Sequence, residues 1–203
     1  MTSTTDFETA ARCFLDLVAG VKPEQWNEPA LGVWDVRGLV GHTARAIQVV
    51  EQYLLADPAA ELTAPDAETY YAVALVQYTN NEAIAARGIE AGRKLNENSG
   101  AEFEATLDRD LELIAANSPD RLVAVGPIGI PLHEYLRTRV FELVVHGMDI
   151  AAATHQPHGI PSEVVANVAD MAARVAVRKG DGEQLLFAMT GRRPLPFRYS
   201  ILE

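Results

Sequence analysis

A glutamate and a histidine one helical turn apart, Glu142 and His146, interrupt the otherwise apolar stretch FELVVHGMDIAAAT, residues 141–154. Residues four positions apart project from the same side of a helix, so both side chains could reach one divalent metal ion. A buried carboxylate that keeps its charge requires a cation, hydrogen-bond donors or a metal. The spacing alone leaves two interpretations open, which are metal ligation and a hydrogen-bonded core pair that includes Arg139.

A second histidine, His42, offers a further ligand in a distant part of the chain. It belongs to the segment VRGLVGHTARAIQVVEQYLLA, in which apolar residues recur at helical spacing and place His42 on or beside the buried face. Two imidazoles and one carboxylate form a ligand set of catalytic zinc sites, which keep a fourth position open. Taken by itself, His42 is better explained as a hydrogen-bonded or partly exposed helix histidine.

The predicted helix around Glu142 carries further polar groups on the same face. Tyr135, Arg139, Glu142, His146 and Asp149 follow one another at steps of four, three, four and three residues. We identify Arg139 and Asp149 as candidate catalytic residues, Arg139 as a cation near Glu142 and Asp149 as an acceptor for a ligand imidazole. The sequence also allows a structural role for Arg139, and a solvated or capping role for Asp149.

Four amphipathic arms predict the fold that must position these residues. The first is DFETAARCFLDLVAGV, and the second follows Asp35, which we expect to cap it. The third combines AETYYAVALVQYTNNEAIAARGIEAGRKL, interrupted around TNN, with AEFEATLDRDLELIAAN. After the extended link RLVAVGPIGIP, the fourth arm is LHEYLRTRVFELVVHGMDIAAAT. This pattern indicates an all-α protein, a four-helix bundle with a short C-terminal helix and tail.

The chain divides by pattern into two parts. We predict that residues 1–156 form the metal-binding bundle and that residues 157–203 form a short extension packed on it. The extension contains the amphipathic segment SEVVANVADMAARVAVRKG, the apolar stretch QLLFAM and a basic tail. These pieces are too short to form a core of their own. The amphipathic helix could instead mediate a homo-oligomer.

Composition argues against several classes of protein. The chain has 203 residues and a formal net charge of -11, which opposes binding to a phosphate backbone, so we expect no nucleic acid partner. Neither a membrane-length apolar run nor a signal-peptide pattern occurs, so we expect no membrane association and a cytoplasmic location. The single cysteine, Cys13, permits no internal disulfide and no thiolate zinc cluster. Thiol chemistry beyond one sulfur would therefore need a cofactor.

The segments GVWDVRGLVGHTARA and YLRTRVFELVVHGMDIAAAT resemble the DinB-like metal-binding bundle family, and more closely its mycothiol-dependent maleylpyruvate isomerase branch. The late segment LLFAMTGRR is similar to a C-terminal part of that branch. The resemblance implies a DinB-like four-helix bundle in which His42, Glu142 and His146 bind a divalent metal, usually zinc. It also implies mycothiol as a cofactor whose sulfur occupies the open metal position as a thiolate.

The resemblance further implies an enzyme that acts on a small electrophilic substrate. For an isomerase, a thiolate adds reversibly to a conjugated cis double bond, the resulting single bond rotates, and elimination gives the trans product. Addition without elimination gives S-transfer. Full isomerases of the branch carry a longer C-terminal α/β domain that supplies an arginine, whereas only residues 160–203 follow Gly159 here. Arg192 or Arg193 could serve a carboxylate substrate, or both could belong to a solvated tail.

Two other functions remain open at the level of the sequence. The first is a metal-dependent hydrolase, in which water occupies the open metal position and Asp149 or another carboxylate assists. The second is a non-enzymatic metal-binding module with a stress-related or regulatory role. An open metal position beside a cavity would favour an enzyme, and a fourth protein ligand would favour a structural site.

Overall fold

Helices make up most of the computed structural model, which describes residues 2–78 and 80–202, with side chains for all of these except 75–78 and 81. The helices are α1 (Ser3–Ala19), α2 (Val36–Leu55), α3 (Ala67–Tyr78), α4 (Asn81–Arg93), α5 (Ser99–Ala115), α6 (Leu132–Thr154), α7 (Ser162–Arg178) and α8 (Gly182–Met189). Strands β1 (Pro29–Leu31) and β2 (Trp34–Asp35) form one antiparallel pair, and β3 (Leu122–Val125) and β4 (Ile128–Pro131) form another. The predicted all-α class is confirmed.

The helices that carry the candidate ligands begin and end where local signals in the sequence place them. The Asp35 carboxylate accepts a hydrogen bond from the Gly38 backbone N–H at 2.7 Å, which confirms the predicted cap of α2. Helix α6 starts directly after Pro131, and it ends at His155, whose φ of 56° is left-handed. This conformation closes a helix C-terminus and turns the chain toward α7.

Helices α1, α2, α5 and α6 surround one hydrophobic core. Large side chains from all four helices are almost completely buried, among them Phe7, Phe14, Leu39, Ile47, Leu107, Leu136, Leu143 and Ile150. Burying a side chain of this size contributes about 1.5–3 kcal/mol relative to leaving it in water. The core therefore holds α2 and α6 firmly beside each other, and these two helices carry the three candidate metal ligands.

The third bundle helix is α5 alone, which differs from the predicted third arm. We expected the segments of α3, α4 and α5 to form one arm, but α3 packs against α7 and α4 packs against α2. The α4 contact is close because a Cβ added to Gly41 would lie 2.4 Å from the backbone nitrogen of Gly92. The predicted interruption around TNN falls between α3 and α4, and its first residue, Thr79, lies outside the described residues.

The C-terminal extension packs on the bundle and then turns back on itself. Helix α7 contacts α3 and α6, and α8 contacts α7. After α8, the Tyr199 hydroxyl donates a hydrogen bond to Asp181 at 3.0 Å, and the Lys179 ammonium donates one to the carbonyl oxygen of Ile201 at 3.0 Å. The boundary at residue 156 stays a prediction. Within the described residues, we find no helix with the length and low polarity needed to cross a lipid bilayer.

Replacing Gly41 by alanine should destabilise the protein by about 1–3 kcal/mol, because the new methyl group would force the α2 and α4 backbones apart. Gly100, near the start of α5, is the matched control, since an added Cβ there meets nothing within 4 Å. Gly100→Ala should leave stability unchanged or raise it by up to about 1 kcal/mol. Urea denaturation of both variants measures the difference, and equal free energies of unfolding would contradict the close contact.

Candidate metal centre

Three side chains from two helices converge on one point. His42 comes from α2, whereas Glu142 and His146 come from α6, and one potential ligand atom of each lies within 4.8 Å of the others. His146 Nε2 lies 3.4 Å from Glu142 Oε2, and the two imidazole rings lie 5.0 Å apart and nearly perpendicular. In the part of the chain that the structure describes, no other His, Cys, Asp and Glu side chains form such a group. The set is suited to binding one divalent metal ion.

Glu142 is an ionised carboxylate with both oxygens oriented. Burial raises its pKa, but the hydrogen bond from His146 and the charge of Arg139 outweigh burial and lower the pKa to about 2. The Tyr71 hydroxyl of α3 donates a hydrogen bond to Glu142 Oε1 at 2.9 Å, which leaves Oε2 on the side of His146. Tyr71 could not be recognised as a site residue from the sequence, because a tyrosine in an apolar helix is typical of the core.

His146 is oriented by Asp149, one turn further along α6. Its Nδ1 lies 3.2 Å from Asp149 Oδ2, so Nδ1 carries the hydrogen and Nε2 faces Glu142. Burial lowers the pKa of His146, but the hydrogen bonds to Asp149 and Glu142 outweigh burial and raise it to about 9. Of the two roles that the sequence allowed for Asp149, the geometry matches the acceptor for a ligand imidazole.

His42 is held by the indole ring of Trp34. The two rings stack with centroids 4.5 Å apart, and Trp34 Nε1 donates a hydrogen bond to the carbonyl oxygen of Ala85 at 2.9 Å. Burial and the nearby charge of His146 lower the pKa of His42 to about 4, so its imidazole is neutral at pH 7, as metal ligation requires. The hydrogen-bond partner of Trp34 is on α4, so this arrangement depends on the contact between α2 and α4.

A cavity of about 430 Å³ adjoins the three residues. Helices α2 and α6 form its long walls. Two ring pairs show that they run antiparallel: His42 faces His146 at one end, and Tyr53 faces Tyr135 at the other, where the ring centroids are 5.8 Å apart. Other parts of the chain complete the lining, including Tyr71 of α3, Ile84 of α4, Val125 of β3 and Leu202. A cavity of this volume is within the range of small-molecule sites.

Arg139 lies on the cavity wall without a carboxylate partner. Its guanidinium is 5.1 Å from the centroid of the Tyr135 ring, and its Nε donates a hydrogen bond to the Thr138 hydroxyl at 3.1 Å. Among the described residues, no carboxylate oxygen lies within 4.0 Å of the guanidinium. The close pair of Arg139 with Glu142 that the sequence allowed is therefore not formed, although the charge of Arg139 still acts on Glu142.

The three remaining histidines, the two tail arginines and the single cysteine lie outside the cavity lining. His133 is half-exposed and contacts the carbonyl oxygen of Pro119, His155 ends α6, and His158 accepts a hydrogen bond from the Ile160 backbone N–H. Arg192 and Arg193 are exposed in the tail, with Arg193 over the Phe187 ring. Cys13 donates weakly to the carbonyl oxygen of Gly159 at 3.6 Å.

The side chains that converge fit a divalent metal by their chemistry. The carboxylate of Glu142 is ionised, the imidazole of His42 is neutral, and the imidazole of His146 presents Nε2 because Nδ1 is bonded to Asp149. Two nitrogens and one oxygen leave at least one coordination position for a ligand from the adjoining cavity. Such a centre can polarise or deprotonate a bound group.

Metal binding at pH 7 should release close to one proton per ion. In the metal-free protein His146, with a pKa of about 9, is protonated at pH 7 and must lose its Nε2 proton to become a ligand. His42 and Glu142 are already deprotonated at this pH. The apparent affinity should therefore rise with pH up to about 9 and then level off.

Isothermal titration with zinc in buffers of different ionisation enthalpy gives the number of protons released. Release of no proton, or an affinity that does not depend on pH between 6 and 8, would contradict the protonation states derived from the geometry.

Comparison with known proteins identifies the family. Residues 7–151 match the family described as Mycothiol maleylpyruvate isomerase N-terminal domain. No curated protein and no solved structure matches the chain. The matched residues run from α1 to Ala151 of α6 and include His42, Glu142 and His146. As the two quoted motifs predicted, the chain belongs to the mycothiol maleylpyruvate isomerase N-terminal domain family.

Proposed function

We propose that the protein is a metal-dependent enzyme that uses mycothiol, or a similar small thiol, to isomerise a small electrophile or to transfer sulfur to it. The observation that carries the proposal is the convergence of two imidazoles and one carboxylate on the wall of a cavity of about 430 Å³. Family membership supports mycothiol as the thiol. Zinc is the proposed metal because it accepts nitrogen, oxygen and thiolate ligands in one centre.

The chain's own residues would divide the work as follows. His42, Glu142 and His146 hold the metal, which when bound lowers the pKa of the thiol and supplies a thiolate. Tyr71 and Asp149 keep Glu142 and His146 in position, so that little reorganisation is needed on binding.

Arg139 is proposed to bind the electrophile. It lies three residues before Glu142 on α6, on the wall of the same cavity, with donors that no protein carboxylate occupies in the described part of the chain. A guanidinium in this position would bind a substrate carboxylate and stabilise negative charge that develops when a nucleophile adds to a conjugated double bond.

The geometry favours this function over the two alternatives. A hydrolase would need a carboxylate facing the open metal position, but Asp149 is bonded to Nδ1 of His146, on the side of the ring away from Glu142. A structural metal site would need a fourth protein ligand, and the ligand group in the described residues has three members.

Metal content tests the centre directly. The purified protein should contain close to one zinc ion per chain, whereas Glu142→Gln and His146→Ala should each lower the affinity for zinc at least tenfold. His133→Ala is the matched control, since His133 is also on α6 but does not line the cavity. Elemental analysis after dialysis measures the content. Full retention of metal by both variants would leave the proposed centre without support.

Cobalt substitution then tests the thiol. Adding mycothiol to the cobalt-loaded protein should produce a sulfur-to-cobalt charge-transfer band in the near ultraviolet, because the thiolate enters the open position. The cobalt-loaded His133→Ala variant should give the same band. A spectrum that does not respond to saturating mycothiol would argue against a thiol-dependent enzyme.

Asp149→Ala should lower the affinity for zinc about 10–100-fold, because His146 loses the acceptor that fixes its ring. Asp149→Asn should recover part of the loss, since its amide oxygen can still accept from Nδ1. Asp170→Ala is the charge-matched control, because Asp170 is an exposed acid on α7 that pairs with Arg174. Equal affinities for Asp149→Ala and Asp170→Ala would show that Asp149 does not position His146.

A further inference from the structure

Arg139 leaves most of its hydrogen-bonding capacity unused inside the protein. A guanidinium has five N–H donors, and in the described residues Arg139 uses one of them, on the Thr138 hydroxyl. Glu142 acts on this cation only at a distance, and a guanidinium partly removed from water without an anion in hydrogen-bond contact raises the free energy of the protein. An anion that enters the cavity would therefore be stabilised beside Arg139 by charge-assisted hydrogen bonds.

Two more arginines make the cavity attractive to an anion. Arg45 of α2 and Arg87 of α4 are exposed and line the same cavity. Within the described residues, neither guanidinium has a carboxylate oxygen within 4.0 Å. The chain as a whole has a net charge of -11, so three arginines at one cavity produce a local field of opposite sign to that of the protein.

The end of the cavity beyond Arg139, called the apolar end, is lined mainly by aromatic rings and aliphatic side chains, although the Tyr135 hydroxyl is buried there without a hydrogen-bond partner among the described residues. His42 and Tyr53 are eleven positions apart on α2, and so are Tyr135 and His146 on α6. At about 1.5 Å per residue, the cavity therefore follows the two helices for roughly 16 Å. Arg139 lies between the two ends. Val49 of α2 lies level with Arg139, Tyr53 and Tyr135 lie at the far end, and the aliphatic side chains of Val125 and Leu202 also line the cavity.

A chain of contacts links the C-terminal segment, which contains Leu202, to the start of α6. Lys179, at the end of α7, donates to the carbonyl oxygen of Ile201. The preceding residue, Arg178, pairs with Asp66 at 2.6 Å, directly before the start of α3. The backbone N–H of Ala67, the first residue of α3, donates to Glu134, which is in the first turn of α6 beside Tyr135. These contacts hold the C-terminal segment at the apolar end, where Leu202 contributes to the wall.

We propose that the electrophile is an amphipathic carboxylate, which binds Arg139 through its carboxylate and places a hydrocarbon or aromatic group against Val49, Val125 and Leu202. The assignment rests on the proposed function, because it places the electrophile in the cavity that adjoins the metal centre. A compact dicarboxylate gains less, since its second charge would either lose water against the aliphatic wall or pair with Arg45 or Arg87, which are exposed to solvent.

Unreactive carboxylates test the assignment by binding alone. Acetate, butanoate, hexanoate, octanoate and butanedioate are titrated into the protein by calorimetry, once without metal and once with zinc and saturating mycothiol. Each methylene that enters the apolar end should tighten binding about fourfold until the cavity is full. Butanedioate should bind at least tenfold more weakly than hexanoate. Equal affinities of butanedioate and hexanoate, or no dependence on chain length, would overturn the proposal.

Two variants assign the two ends of the ligand. Arg139→Met keeps the length of the side chain and should weaken every monocarboxylate at least tenfold while metal content stays unchanged. Leu202→Asp should weaken octanoate at least tenfold and leave acetate within about twofold, because only the longer ligand reaches the wall. Phe197→Asp is the matched control in the same segment, since Phe197 is 93% exposed. An equal effect of Leu202→Asp and Phe197→Asp would overturn the placement of the apolar group.

A milder variant guards against a folding defect. Val49→Thr keeps the shape of the side chain but adds a hydroxyl, so it should lower the gain per methylene. The titrations are run at a temperature at which unfolding curves show the variant to be folded. The two titrations also separate this proposal from the proposed function. Binding that depends on chain length and on Arg139 in the metal-free protein supports the ligand class even if no thiol binds the metal. If the thiol binds the metal but carboxylate affinity depends on neither chain length nor Arg139, the ligand class is rejected and the proposed function is not.

Discussion

The carboxylate of Glu142 is ionised, although both of its neighbours along α6, Phe141 and Leu143, belong to the hydrophobic core. A charge in that position must be compensated locally, because transfer from water to a protein interior costs several kcal/mol per ion. The compensation comes from two directions. Tyr71 of α3 binds one oxygen, and His146 lies against the other. Tyr71, from α3, and His146, whose ring is oriented by Asp149, thus both stabilise this one partly buried charge.

The same constraint links the metal centre to the rest of the cavity. His146 can face Glu142 with Nε2 because Asp149 binds Nδ1, and His42 reaches the pair because α2 and α6 run antiparallel in the core. The antiparallel pairing then aligns the two long cavity walls. The extension contributes as well, since α7 packs on α3 and α6 and the segment after α8 supplies Leu202. Residues from both predicted parts of the chain, 1–156 and 157–203, thus line the cavity.

Features that depend on local chemistry could be predicted from the sequence. The cap of α2 at Asp35, the start of α6 after Pro131 and the shared face of Glu142 and His146 all depend on residues within a turn or two. The positions of α3, α4 and α5 could not be derived in this way. The position of α4, for example, depends on a close contact between Gly41 of α2 and Gly92, which are distant in sequence. Periodicity reports which face of a helix is buried, but not which helix covers it.

For the candidate site, the same distinction holds. Spacing predicted the face with Glu142 and His146, and the resemblance to a family added His42 as their partner. Trp34 and Tyr71, which hold two of the three ligands, were not identified as site residues, because their partners come from other helices. Nor could the sequence decide whether Arg139 pairs with Glu142, since that depends on side-chain positions over the Tyr135 ring.

The stacking of Trp34 on His42 gives the protein an internal optical reporter. The indole ring lies 4.5 Å from the imidazole, close enough for its fluorescence to be quenched by a protonated imidazole or a paramagnetic ion at that nitrogen. The chain has one other tryptophan, Trp26, which packs under the Arg37 guanidinium and would contribute a background emission. Binding of a paramagnetic ion such as cobalt at the centre can thus be followed by light emission, without any added dye.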